Sequence, residues 1–366
     1  MTHPLPIYYS RSAVVADWKC PRQRYWNYEH DGRGLSPATT ALPLAFGILI
    51  HDGVAAIIHG MDIDTIAEAA KTEFRAKLLD GQDSHEAQYF AEEQCALGEG
   101  LLRGFHRHVW PQLQAVYDVV HVEQEMTYEH DGLTFLAKPD LLLRNKESGD
   151  LVYFEYKTTS SIKEQWMSSW TTAVQLHSTI RAVERSIGES IQRVIVQGMN
   201  KGYVSYEKQN SPFCYIYHKA GTPPFNKDIW QYAYKAGFTK YPTWQRPGGV
   251  KKVVEEMPEN TLSQQFPQTP PIFINQDLVD RFFKQRARRE HSIRHGRELL
   301  VKPGVDVMDV LDEYFPQNFE ACSPGWGTGC DFKRLCHGNV SPLQAGFVVR
   351  QSHHQLEADQ QNADNS

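Results

Sequence analysis

Residues 134–158 read TFLAKPDLLLRNKESGDLVYFEYKT, and the reading of this stretch decides the fold. Two apolar runs rich in Leu, Val, Phe and Tyr flank the polar turn RNKESGD, the pattern of a β-hairpin. Asp140 follows Pro139 within the first run, and Glu155 and Lys157 stand two apart near the end of the second. Side chains alternate along a strand, so Glu155 and Lys157 are expected on one face and Tyr156 on the other. Two carboxylates and an ammonium converging across a hairpin suit a hard divalent cation with a water beside it. A Glu-x-Lys tripeptide by itself reads more readily as an ion pair on a solvated edge. The Pro-Asp at hairpin distance brings the two readings level, and the ends of the chain decide between them.

Working outward, HVEQEMTY (121–128) reads as a strand ahead of the hairpin, and the His-Asp-Gly at 130–132 as a turn. A helix is expected over about 165–186, and strands over 193–202 (RVIVQGMNKG) and 212–220 (PFCYIYHKA). Upstream, residues 10–28 read as a first helix capped by Ser10 or Ser12, and 62–80 and 84–117 as amphipathic helices. The stretch LPLAFGILIHDGVAAIIHG (42–60) is apolar almost all round and reads as a buried helix interrupted by His51. A lone histidine there is ordinarily a core residue satisfied by a neighbour.

The Pro139-Asp140 and Glu155-Tyr156-Lys157 pair resembles the PD-(D/E)XK motif of the restriction-endonuclease-like nuclease superfamily. The resemblance implies an α/β fold with an αβββαβ core, preceded here by a helical N-terminal part. It also implies a single nuclease domain over 1–350, with an insertion at about 221–271 and a disordered tail over 351–366 that lacks apolar periodicity.

The cysteines extend the resemblance. Cys322, Cys330 and Cys336 sit in ACSPGWGTGCDFKRLCHG, spaced C-x7-C-x5-C, while Cys20 lies in SRSAVVADWKCPRQRYWNYEH. No charged-then-apolar signal segment opens the chain, and no run approaches the ~20 apolar residues of a membrane span, so an intracellular, cytoplasmic chain without a membrane partner is expected. Clustered thiols in such a compartment point to metal before disulfide, and three thiols want a fourth ligand. Cys95 and Cys214 stand alone among apolar neighbours and read as small buried hydrophobes. Ser10, Ser12, Cys20, Pro21, Arg22 and Tyr25 match the N-terminal element of RecB-type nucleases, in which one early cysteine and three late ones hold an iron–sulfur cluster. That resemblance implies a [4Fe–4S] cluster on Cys20, Cys322, Cys330 and Cys336. Four thiolates suit zinc as well, and His337 is an alternative to Cys322, whose gap departs from the family's shorter one. The cluster would close a loop of about 300 residues and turn metal-binding energy into folding energy for both chain ends.

The same resemblance implies further site residues. A Gly-x-x-x-His pattern, here Gly47 and His51, makes His51 a metal ligand beside Asp140, Glu155 and the Tyr156 backbone carbonyl, for Mg²⁺ or Mn²⁺. Lys157 would orient the attacking water or stabilise the pentacovalent oxyanion. Gln175 and Leu176 match a Gln-Leu-x-x-Tyr pattern whose Gln reaches toward the active site, although Thr179 stands at the Tyr position. The implied reaction is metal-dependent hydrolysis of DNA phosphodiesters, leaving a 5′-phosphate and a 3′-hydroxyl, by an exonuclease at DNA ends in recombination or repair. Two other functions fit parts of the sequence: a catalytically quiet subunit that binds DNA ends, and an iron–sulfur redox protein.

Composition bounds the partner. The net charge of −6 over 366 residues argues against a chain coated in positive charge, so positive potential for DNA must be local. RFFKQRARREHSIRHGR (281–297) carries seven Lys/Arg against one Glu, and is either that DNA-binding face or a solvated helix. In 221–271, Trp230, Tyr232, Tyr234, Tyr241 and Trp244 interleave with basic residues, a composition suited to stacking single-stranded bases or to covering an apolar surface. No G-x-x-x-x-G-K-[ST] occurs, so any helicase or recombination motor would be a partner protein.

Overall fold

The computed structural model describes residues 8–38, 41–80, 85–159, 164–201, 266–322, 329–338, 340–351 and 354. The expected strand 212–220, Cys214, the five aromatic residues of the insertion and nearly all of the expected tail lie outside them.

The centre is a five-stranded sheet in the order β3-β6-β7-β8-β9: β3 (Tyr117–Val122), β6 (Leu141–Asn145), β7 (Leu151–Thr159), β8 (Ile191–Asn200) and β9 (Ile272–Phe273). β6 runs antiparallel to both of its neighbours, β3 and β7, whereas β7 and β8 run parallel from Val152↔Arg193 to Thr159↔Asn200. A parallel neighbour requires a crossover, and α8 (Val174–Ile187) supplies it. A second sheet, β1-β5-β4, joins β1 (Tyr8–Ser10), β5 (Leu133–Ala137) and β4 (Met126–His130).

The hairpin forms over β6 and β7, paired Leu141↔Phe154 to Arg144↔Leu151. Its turn is closed by Asn145, whose Oδ1 accepts from the Glu147 and Ser148 amides, and by Gly149 at φ +75°. Alternation along β7 divides the core. Val152, Phe154 and Tyr156 pack with Phe46, Ile50 and Val54 of α3 (Leu42–Ile58), while Leu151 and Tyr153 pack with α8 and with Phe282 and Phe283 of a long helix, α9 (Gln276–Leu300). Burial on both faces explains why these strands read as continuous apolar runs; each fully buried Leu or Phe contributes about 1.5–3 kcal/mol. Cys95 is buried in the α3-side core as expected.

Local breaks depart from the sequence expectations, and each has a cause. The run 134–143 is not one strand: β5 ends at Ala137 and β6 starts at Leu141 in a different sheet. Pro139 has no amide for a ladder and restricts the residue before it, so the chain changes sheet there. The strand expected over 121–128 is split between β3 and β4 around Glu123, whose φ is +49°. The helix expected over 10–28 stops at Lys19. Cys20 is extended (φ −163°, ψ 114°) ahead of Pro21, and a short helix, α2 (Pro21–Arg24), restarts beyond it. Ser10 occupies the cap position of α1 (Arg11–Lys19) but makes no capping hydrogen bond. Helix α3 is buried only along one stripe; Leu44 and Ile48 are exposed. Residues 266–269 of the expected insertion lie along β8, with Thr269 donating to Val196 O and Phe266 in the core. His354, at the tail, is buried against Glu125 (3.0 Å).

The basic helix is amphipathic in charge. Arg281, Lys284, Arg288 and Arg294 are exposed, but three of its seven cations turn inward. Arg286 and Arg289 grip Asp17 of α1 at 2.9 Å each, Arg297 reaches Glu29 at 2.9 Å, and Arg286 also pairs with Glu290, which faces Arg24 at 3.4 Å. The run is thus neither wholly a DNA-binding face nor wholly a solvated one: part of this charge fastens the N-terminal helices to α9.

Burial alone would raise the pKa of Asp17 and Glu29. The arginines around each outweigh it and hold both below the ordinary carboxylate range. A carboxyl depressed in the folded state contributes stability present above its unfolded pKa, about 4, and lost as pH falls through the folded value. The melting temperature is therefore expected to drop on acidification below about pH 4. Asp17→Asn, which leaves two arginines without their partner, should cost about 3 kcal/mol at neutral pH. Equal melting of Asp17→Asn and wild type would show that the network is not a stability element.

Candidate active site and the cysteine site

The candidate active site lies where β7 ends, beside the start of β6. Asp140, at the sheet-changing corner, is buried at 3% exposure, and its two oxygens face different groups. Oδ2 accepts from the Tyr156 amide at 3.0 Å and lies 3.4 Å from Lys157 Nζ, while Oδ1 is 3.6 Å from His51 Nδ1. The hairpin register makes the amide bond possible by setting residues 140 and 156 side by side. Glu155 is fully buried. It is paired with Lys157, accepts from the Tyr153 hydroxyl, and lies 3.7 Å from Arg11 Nη1. Its Oε1 carries those two ionic contacts but accepts no well-directed hydrogen bond among the described residues, which leaves a lone pair for another electrophile.

On the other face of β7, the Tyr156 ring lies 4.6 Å from the His51 ring, and its hydroxyl donates to Glu123 Oε1 at 2.9 Å. The same oxygen is 3.1 Å from His51 Nδ1, and Lys138 reaches Glu123 Oε2 at 3.2 Å. Burial pushes the Glu123 carboxyl up, but His51, Lys138 and the Tyr156 hydroxyl outweigh it and hold Glu123 below the usual carboxylate range. Ligand atoms of His51, Glu123 and Asp140 all lie within 4.8 Å of one another, and this trio could hold a metal ion.

The geometry therefore brings His51, Asp140, Glu155 and Lys157 together. It adds Glu123, Arg11 and Lys138, which the sequence reading did not single out. Nothing in HVEQEMTY (121–128) marks Glu123 out, since Gln124 and Glu125 beside it are as polar. Gln175 sits on the first turn of α8, half-buried, and its Nε2 has no hydrogen-bond partner among the described residues. Thr179, one turn on, is buried and donates to the Gln175 carbonyl at 2.9 Å, so a small hydroxyl residue fills a space closed by the helix itself.

The second site joins the chain ends. Arg22, buried, donates through Nε to Phe315 O (2.8 Å) and through Nη2 to Asp312 (2.6 Å). The Asn318 amide donates to Cys20 Sγ at 3.4 Å, and the Trp26 indole to Cys336 Sγ at 3.3 Å. Cys20, Cys322 and Cys336 all lie within electrostatic reach of Cys330. Burial pushes the Cys330 and Cys336 thiols up, and neighbouring thiolates push the same way. All four are free thiols, whereas His337 is exposed. A two-stranded sheet closes over this end: β2 (Leu35–Pro37) pairs with β10 (Phe347–Val349) above a small core of Leu35, Phe332, Leu335 and Phe347. Gly34, which leads into β2, has φ +79°, and a Cβ there would lie 2.0 Å from Asn27 O. Cys20 and Cys322 are buried, Cys330 and Cys336 half-buried, and two of the four accept N–H donors, a set of donor types that suits a thiolate-bound metal or cluster.

No helix among the described residues is long and apolar enough to cross a membrane. No curated protein gives a significant match to the chain. The family model of the PD-(D/E)XK nuclease superfamily matches residues 9–337, about nine-tenths of the chain, from the strand before α1 to the last residues of the cysteine site. With Pro139-Asp140 and Glu155-Tyr156-Lys157 converging as that motif requires, the chain belongs to the PD-(D/E)XK nuclease superfamily.

Proposed function

We propose that the protein is a Mg²⁺- or Mn²⁺-dependent deoxyribonuclease, an exonuclease acting at DNA ends in recombination or repair. The observation that carries this reading is that Asp140 belongs to a compact His51–Glu123–Asp140 group and is joined through Lys157 to Glu155. His51, Glu123, Asp140 and Glu155, with the Tyr156 carbonyl, would hold the cation; carboxylate oxygens suit Mg²⁺ and an imidazole tilts the set toward Mn²⁺. A bound divalent ion supplies charge stabilisation for the scissile phosphate and acidifies a water. Lys157, held by two carboxylates, is placed to orient that water or to donate to the oxyanion. Gln175 Nε2, buried without a hydrogen-bond partner among the described residues, would reach the substrate only by turning outward.

The cysteine site is proposed as a [4Fe–4S] staple on Cys20, Cys322, Cys330 and Cys336. Its one-plus-three arrangement across the chain resembles that of RecB-type nucleases, and this resemblance supports the DNA-end and recombination context and a helicase-type partner.

Digestion of end-labelled and circular DNA, single- and double-stranded, with Mg²⁺ or Mn²⁺ tests the reading. Release of label from linear DNA with circles left intact is the expected result. Binding of ends without cleavage would instead identify a quiet end-binding subunit. Activity lost on oxidation without unfolding would favour a redox role for the cluster.

His51→Ala and Glu123→Gln are expected to raise the half-saturating Mn²⁺ concentration at least about 10-fold, with a smaller effect on rate at saturating metal. Unchanged metal titrations would return His51 to the role of a core histidine.

A further inference from the structure

We propose that Arg11 is a phosphate-contacting residue of the active site, which grips the nucleic-acid backbone next to the scissile bond. This rests on the nuclease reading above and names a contact that the PD-(D/E)XK motif does not contain.

Arg11 opens helix α1 directly after β1. Its guanidinium is only partly covered (30% exposed), and its one ionic contact is a loose 3.7 Å approach to Glu155 Oε1. None of its five N–H donors makes a hydrogen bond among the described residues. The structural arginines behave differently: Arg22, Arg24 and Arg286 are buried, and each donates hydrogen bonds to a carboxylate. The Arg11 donor fork is open rather than sealed, and is free to take a ligand where the buried arginines are committed to carboxylates. The planar fork matches two oxygens of a phosphodiester.

The charge around it points the same way. Three carboxylates, Glu123, Asp140 and Glu155, face three cations, Lys138, Lys157 and Arg11. A divalent cation bound among them would shift this set toward positive charge, which then attracts an anionic backbone. Glu155 engaged with a cation has less hold on Arg11. Lys157 stays close to both Asp140 and Glu155, which leaves Arg11 as the cation with free donors.

The fold holds Arg11 in place. Helix α1 is clamped in its middle by Asp17 to Arg286 and Arg289, and its far end runs into Cys20 of the cysteine site. The two structural devices at the N-terminus thus both fix the residue that heads the helix.

The test compares wild type, Arg11→Gln and Arg11→Lys, with Asp140→Asn as a control. Anisotropy of a labelled single-stranded oligonucleotide at a fixed Ca²⁺ concentration, across a range of NaCl and with the oligonucleotide checked on a gel for breakdown, reads phosphate contacts with a cation in the site. Arg11→Gln should weaken binding about 10-fold at low salt and lower the slope of log K against log[salt] by about 0.7, the loss of one phosphate contact. Arg11→Lys should restore the slope, because the charge is kept, but not the full kcat/KM in Mn²⁺, because the fork is lost. Melting temperature should match wild type in both, and half-saturating Mn²⁺ should not rise in Arg11→Gln, which removes a cation that competes for Glu155. An unchanged salt slope with a shifted Mn²⁺ half-saturation would overturn the proposal and make Arg11 merely the counter-ion of Glu155. Wild-type cleavage abolished by Asp140→Asn, beside an Arg11→Gln slope equal to wild type, would sink this proposal alone. Absence of both binding and cleavage in wild type would sink the nuclease reading and this proposal with it.

Discussion

Lys157→Ala, Asp140→Asn and Glu155→Gln should each lower the cleavage rate by roughly 10³-fold or more while leaving the protein folded. Each removes a different function from one constellation. Asp140 links His51 to Lys157 through its two oxygens, Glu155 presents a buried oxygen without a directed hydrogen bond, and Lys157 is the cation nearest to both. Residues that act as a unit do not give additive losses, so double substitutions should be no worse than single ones. Stability should hardly change. Asp140→Asn keeps an oxygen for the Tyr156 amide, and crowded charge at a catalytic site commonly costs stability rather than adding to it. Cleavage by Lys157→Ala at near the wild-type rate would refute the active-site assignment, and a melting temperature far below wild type would assign these residues to the fold instead.

Cys20→Ala and Cys330→Ala form the second large expected effect, on stability and colour together. In the proposed staple each thiolate holds both chain ends, so losing one should cost roughly 5 kcal/mol, a fraction of the ~10–16 kcal/mol that thiolate-bound metal supplies to small folds. Anaerobically purified wild type should be brown, and either variant paler and prone to proteolysis at both ends. Metal analysis separates the identities: about four irons with matching sulfide supports the cluster, and one zinc per chain would keep the staple but change its metal. Neither metal, with the variants as stable as wild type, would leave Arg22, Trp26 and the β2–β10 pair as the whole of the junction.

What sequence determined about this protein is what local signals carry. The apolar runs around RNKESGD specified the hairpin, and the period-two alternation placed Glu155 and Lys157 on one face before any coordinates. Pro-Asp, Glu-x-Lys and the cysteine spacing were legible because each is a short pattern with its own chemistry. Tertiary structure decided the rest. Glu123 sits in a turn at positive φ, outside any period, and meets His51 only because α3 packs against the Tyr156 face of β7. Arg11 reads as one polar residue of a first helix until β1 pairs with β5 and delivers it to Glu155. The long basic run looked like a uniform surface. Which of its arginines turn inward depends on Asp17 and Glu29, more than 250 residues away in the chain. Strand period, turn chemistry and proline breaks act over a few residues and can be read in place. The pairing of charges across a sheet or between chain ends is set by packing, and burial then decides whether a cation faces water or a carboxylate.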